Sequence, residues 1–251
     1  MVYTDRNITG LVFPEVKADR ALQLLNQLEP EIEKFRTSGF YTIKERDHIK
    51  KHQHIKTITF EPTPDLLPLL LGEFLYNLRS ALDQLAWQLA LLHTPAPHAR
   101  TWFPIRLNAE PARFKEDTKQ FSDSVRDVIE SIQPYKHLQP AEHPLWLLNE
   151  LSNIDKHVLP AFRSNDYKID ITGANDIKEK RRESRERNEF TFSLSDKFKA
   201  KITVTLEGLT LGKSIDAFGP AIDVPQAALR QIHRFVNNEA FPAFAKFFPL
   251  R

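Results

Sequence analysis

Arg79, Asp83 and Gln84 on one segment, and Asn153, Asp155, Lys156 and His157 on another, are the residues whose types and spacing could do chemistry. Each set lies beside a dense row of leucines, and charges are rarely taken into a core without partners. A guanidinium, carboxylates, amides and an imidazole could converge if the two segments are packed helices. In a catalytic reading Arg79 neutralises developing anionic charge and His157 moves the proton, because His157 is the only nearby group that titrates near neutral pH. Asn77, Asp83, Gln84, Asn153 and Lys156 are then the substrate-binding candidates. In a structural reading the same charges form an interhelical ion network, Arg79 with Asp155 and Asp83 with Lys156 or His157, which fixes register even if it adds little stability. A metal reading has Glu73, Asp83, Glu150 and His157 as ligands. The paired Glu-x-x-His pattern of helical metal centres is missing, so no metal is expected.

The elements that must position these residues follow from hydrophobic periodicity. Leu71, Leu75, Leu78, Leu82, Leu85, Leu89 and Leu92 recur at three- and four-residue spacing and predict a helix over 66–93. Arg79 and Asp83, four apart, can pair along it. A second buried helix is predicted over 144–159, with Pro144 suited to its first turn. On it Glu150, Asn153 and His157 share a face. Upstream, 15–36 reads as an amphipathic helix interrupted near Pro30, and 40–46 and 55–60 read as strands around a polar loop at 47–54. Trp102-Phe103-Pro104-Ile105 reads as an extended apolar anchor, because a proline biases its predecessor away from helix. Short helices are predicted over 114–121 and 124–132. Downstream, 166–171, 188–194 and 199–207 alternate like strands. A closing helix over 224–238 and an aromatic tail with Phe241, Phe244, Phe247 and Phe248 end the chain.

The expected fold is therefore α+β: a mainly helical core, an early β-hairpin and a small antiparallel sheet in the C-terminal half. The 251 residues suit a single domain, 1–251, with a helical core at 66–160, a β-rich insertion at 165–212 and a closing helix and tail at 224–251. The chain has no cysteine, which excludes disulfides, thiolate metal sites and cysteine nucleophiles. The apolar runs 66–71 and 85–92 are too short or interrupted to span a bilayer, so no membrane partner and a cytoplasmic location are expected. The formal charge of +2 is no argument for nucleic acid by itself.

Other patterns carry less. His48, His52 and His54 crowd the first hairpin among lysines, and His48 and His52 have helical metal spacing, but a solvated basic turn accounts for them. The mixed-charge run 178–187 reads as a solvated loop. Gly208 to Ser214 has one residue too few between its glycines for a phosphate loop, and no cofactor is expected.

Four motifs carry a resemblance: Asn-Leu-Arg-Ser-Ala-Leu-Asp at 77–83, Trp-Phe-Pro-Ile at 102–105, Ile-Gln-Pro-Tyr at 132–135 and Leu-Ser-Asn-Ile-Asp-Lys-His at 151–157. Together they resemble an uncharacterised bacterial protein family. There the first motif continues to a histidine where this chain has Gln84, and the second to an arginine where it has Val158. The chain also resembles the HEPN superfamily of helical bundles, whose ribonucleases carry an arginine, four to six intervening residues and then a histidine. Arg79 matches the arginine, but Gln84 stands where the histidine would be and cannot shuttle a proton. The resemblance implies RNA or a nucleotide as partner, a homodimer, and a bacterial defence or toxin–antitoxin setting. Two function classes stay open. One is a HEPN-like protein that binds or weakly processes RNA or a nucleotide. The other is a non-catalytic interaction protein whose Arg79/Asp83/Asp155/Lys156/His157 cluster is structural.

Overall fold

Leucine spacing produces the helix it predicts. In the computed structural model α2 runs Leu66–Leu91, preceded by α1 at Val12–Thr37 and a hairpin of β1, Tyr41–His48, and β2, Gln53–Phe60. There follow α3 at Pro111–Asp117, α4 at Asp123–Ser131, two single 3₁₀ turns at Pro134–Lys136 and Pro140–Glu142, and α5 at Pro144–His157. Strands β3 to β7 occupy Ala161–Thr172, Ile177–Lys178, Glu189–Ser195, Lys201–Gly212 and Val224–Pro225. The chain closes with α6 at Ala227–Phe235, a π-helical turn at Val236–Ala240 and α7 at Phe241–Ala245. The structure describes residues 10–37, 40–49, 53–157, 161–172, 177–178, 189–195, 201–212, 224–225 and 227–248; for Gln53, His157 and the strands after 160, Thr191 apart, the description is of backbone. Among the described residues no helix is long and apolar enough to cross a membrane.

The chain divides into two compact units, Met1–Leu28 with Pro68–Ala161 and Leu211–Arg251, and Glu29–Leu67 with Phe162–Thr210. In the first unit α2 buries Leu71, Phe74, Leu75, Leu78, Ala81, Leu82, Leu85, Ala86 and Leu89. Full burial of one such leucine is worth about 1.5–3 kcal/mol, so this row anchors the unit. Leu24 and Leu25 of α1, Leu145 and Leu148 of α5, and Leu229 and Ile232 of α6 are buried with it. Two histidines seal helix ends and contacts. His143 Nδ1 accepts the Leu145 N–H at 3.2 Å, at the start of α5, and its ring meets Phe235 edge-on at 4.7 Å. His233 on α6 lies 3.1 Å from the Ala18 carbonyl of α1. The aromatic tail continues as helix. Phe241 and Phe244 are buried, and Phe244 meets Phe103 edge-on at 6.0 Å. The wider π turn lies just before Pro242, whose missing N–H and bulky ring a regular α-helix would not accommodate.

In the second unit the hairpin pairs Tyr41 with Phe60 through to His48 with Gln53. Its strands run further than the sequence predicts, so Asp47 and His54 are paired strand residues rather than loop. Asp47 and Glu45 both bond the His54 ring, and Lys56 reaches Glu45 at 2.7 Å. Cross-strand pairs of opposite charge extend an antiparallel ladder that the apolar pattern alone would end earlier. The expected location of the sheet, in the C-terminal half, is corrected. The sheet is founded on the hairpin at 41–60, and Glu189–Ser195 comes back to pair antiparallel with β2, Ile58 opposite Phe190. An unpaired strand edge offers a row of free donors and acceptors, which is why a distant strand is recruited to it. Thr57 and Thr191 hydroxyls meet across that seam at 3.3 Å. Sheet order is β1-β2-β5-β4, with β3 beside β6 in another.

Candidate ligand-binding site

Burial of the leucine row turns the opposite face of α2 outward. Tyr76, Arg79, Ser80, Asp83, Gln84 and Trp87 on that face, with Thr101 and Lys156, line an open pocket of about 380 Å³. That size is in the range of small-molecule sites. Tyr76 is 59% exposed at one end, and Lys17 places its ammonium 5.2 Å from the centre of that ring. Trp87 is half-buried at the other.

Arg79 and Asp83 do two things. As their spacing predicts, they pair, Nη2 to Oδ1 at 3.0 Å. They also grip the backbone of the extended anchor. Arg79 Nη2 donates to the Phe103 carbonyl at 2.8 Å, and Asp83 Oδ1 accepts the Phe103 N–H at 2.9 Å. Gln133 holds the next residues, accepting the Arg106 N–H at 2.9 Å and donating to the Pro104 carbonyl at 2.9 Å. Arg106 in turn bonds Asp117, Nε to Oδ2 at 3.1 Å. Three of the four motifs, 77–83, 102–105 and 132–135, thus form one clamp, in which side chains reach in to satisfy the polar backbone of a buried extended segment. Buried N–H and C=O groups must find partners, and a strap with no neighbouring strand can find them only in side chains.

The clamp leaves polar atoms over. Among the described residues, Arg79 Nη1 and Gln84 Oε1 are buried with no hydrogen-bond partner. An unmade hydrogen bond of this kind costs about 1–3 kcal/mol, more for a charged group. Both atoms belong to residues of the pocket lining.

Asp155 does not bridge to Arg79 as the ion-network reading has it. It lies against Gly72 of α2, where a β-carbon in place of the glycine hydrogen would stand 2.5 Å from Asp155 Oδ1. Glycine at 72 is therefore what lets α5 seat its carboxylate on α2. Burial pushes the Asp155 carboxyl above its ordinary range, with Lys156 opposing the shift. Of the other sequence candidates, Arg79, Asp83, Gln84 and Lys156 come together at the pocket. Asn77 turns back to its own helix, donating to the Glu73 carbonyl at 2.7 Å, and Asn153 is exposed on α5, so neither is among the pocket residues. The His157 side chain lies outside the described residues. The three metal candidates with described side chains have other partners: Glu73 faces Arg20 at 4.0 Å, Asp83 serves the clamp, and Glu150 accepts from Asn149 at 3.4 Å. Among the described residues no group of three or more histidines or carboxylates is placed to hold a metal ion. Residue type alone does not mark Tyr76, Trp87, Ser80 and Thr101 as site residues. The signal for the first three is position, since Tyr76, Ser80, Asp83 and Trp87 recur at three- and four-residue steps on the face opposite the leucines.

No family model, curated protein or solved structure matches the chain.

Proposed function

We propose that this protein binds a nucleotide or RNA at the outward face of α2 through a HEPN-like helical core, and that the Arg79–Asp83 pair is primarily the clamp that shapes the pocket. The observation that carries this reading is the composition of the pocket. It combines two cations, Arg79 and Lys156, with two aromatic rings, Tyr76 and Trp87. Cations beside aromatic surface are what phosphate and base require together. Binding is favoured over processing. Asp83 is committed to Arg79 and Phe103, and Gln84, at the position of the HEPN histidine, cannot exchange a proton.

The test is an equilibrium titration with 5′-AMP, followed by Trp87 fluorescence and by calorimetry. The wild type should bind saturably. Lys156→Glu and Trp87→Ala, each checked for native circular dichroism, should weaken binding at least fivefold. Absence of saturable binding, or equal binding by both folded variants, would contradict the proposal. The non-catalytic interaction reading has its own supporting observation, the clamp, and absence of binding would transfer the function to it.

A further inference from the structure

The pocket's charge and the order of its residues along α2 say more about what occupies it. The inference rests on the nucleotide-binding reading and deepens it. We infer that the site takes an internal phosphodiester of a short single strand, with a base on either side, in preference to the terminal phosphate of a mononucleotide.

Charge favours the diester. Arg79 and Lys156 contribute two positive charges and Asp83 one negative. Asp83 accepts the Phe103 N–H at 2.9 Å and pairs with Arg79 at 3.0 Å. The lining therefore carries one net positive charge. A phosphodiester carries one negative charge and matches it. A terminal phosphate carries close to two near neutral pH, and its second charge would face Asp83.

Residue order favours a base at each end. Tyr76 and Trp87 stand at the two ends of the polar stretch, with Arg79, Ser80, Asp83 and Gln84 between them. At 1.5 Å per residue the two aromatics are about 16 Å apart along the helix axis, which is further than one nucleotide reaches. Bases splayed from a single strand stack on aromatic side chains while cations track the backbone between them. Lys17, beside the Tyr76 ring, adds a further cation at that end. The arrangement is thus a short track with a stacking platform at each end, suited to about two or three nucleotides.

The experiment compares 5′-AMP with the trinucleotide ApApA lacking terminal phosphates, in ribo- and deoxyribo-forms, by calorimetry on the full chain. ApApA in at least one sugar form should bind about tenfold or more tighter than AMP, as one additional stacked base implies. A preference for either sugar form tells RNA from DNA as the source. Tyr76→Ala is a safe variant because Tyr76 is 59% exposed, and it should weaken ApApA by a larger factor than AMP, so that the tenfold preference for ApApA falls to about twofold. Trp87→Phe should retain most of the binding that Trp87→Ala loses, which separates stacking from fold. If AMP binds as tightly as ApApA, the track is wrong and the nucleotide site stands. If neither binds, the nucleotide reading fails and this inference with it.

Discussion

Replacing Arg79 by alanine removes one guanidinium from a clamp whose every distance is known, so its cost can be worked out. The side chain is 12% exposed and Nη2 makes two bonds, to Asp83 Oδ1 at 3.0 Å and the Phe103 carbonyl at 2.8 Å. The ion pair lies along the helix and Asp83 is 35% exposed, so screening limits this part to about 0.3–0.5 kcal/mol. The bond to the carbonyl is charge-assisted, and deleting it strands an acceptor on a residue that is fully buried, which costs about 1–3 kcal/mol. Relief of the unpaired Nη1 works the other way. The two losses together are about 1.5–3.5 kcal/mol, and the relief brings the net destabilisation down to about 1–2 kcal/mol. Lysine at 79 should lie between, because an ammonium can hold Asp83 but not the planar fork. The assay is denaturant unfolding at unchanged slope, with Lys119→Ala as the surface reference, expected within about 0.5 kcal/mol of wild type. Since Lys119 is 64% exposed, an Arg79→Ala midpoint equal to that of Lys119→Ala would refute the clamp.

Other outcomes follow from the same geometry. Gly72→Ala should destabilise, and Gly72→Ala with Asp155→Ala should lose less than the sum of the two, because the three atoms nearest the new methyl all belong to the Asp155 carboxyl; strict additivity in a double-mutant cycle would contradict this. The Asp155 carboxyl is raised by burial, so its contribution is present below the ordinary carboxylate pKa and lost as pH rises through the raised one; Asp155→Asn should therefore stabilise at neutral pH and converge with wild type in acid. His54, raised chiefly by its bond to Asp47 with Glu45 adding to it, should lend stability below pH 6.5 that fades as pH rises through its shifted value, and a His54 titration midpoint at or below 6.5 by NMR would contradict the pairing. His143 has the opposite sign: burial lowers it to about 4, with His137 adding to the shift, so stability should fall as pH drops from 6.5 towards 4, and His143→Asn should flatten that limb. Gln84→His restores the arginine–histidine spacing of HEPN ribonucleases; RNA cleavage in excess chelator should remain at background in wild type, and a gain in the variant would show that the likeness extends to catalysis.

Much of the framework is legible in the sequence because it depends on period. The leucine row defines α2, Pro144 marks the start of α5, and four-residue spacing pairs Arg79 with Asp83. The clamp is not legible. Its third partner is the backbone of Phe103, and an N–H and a carbonyl have no signature in residue type. Opposite charges suggest Arg79 with Asp155, yet Arg79 spends its donors on the nearer backbone and Asp155 rests on Gly72. A signal for that exists: a glycine inside a strong helix costs about 1 kcal/mol and usually marks a close approach. The location of the sheet is hidden for a different reason. Alternation identifies a strand but not its neighbour, and the pairing of Thr57 with Thr191 joins segments far apart in the chain.

The most direct test of the central claim is a crystal structure of the protein with saturating ApApA. Phosphodiester density is expected within hydrogen-bonding distance of Lys156 and the Arg79 guanidinium, with bases against Trp87 and Tyr76 and Phe103 still clamped by Asp83. Ligand bound elsewhere, or an unchanged pocket in a crystal grown at saturation, would contradict it.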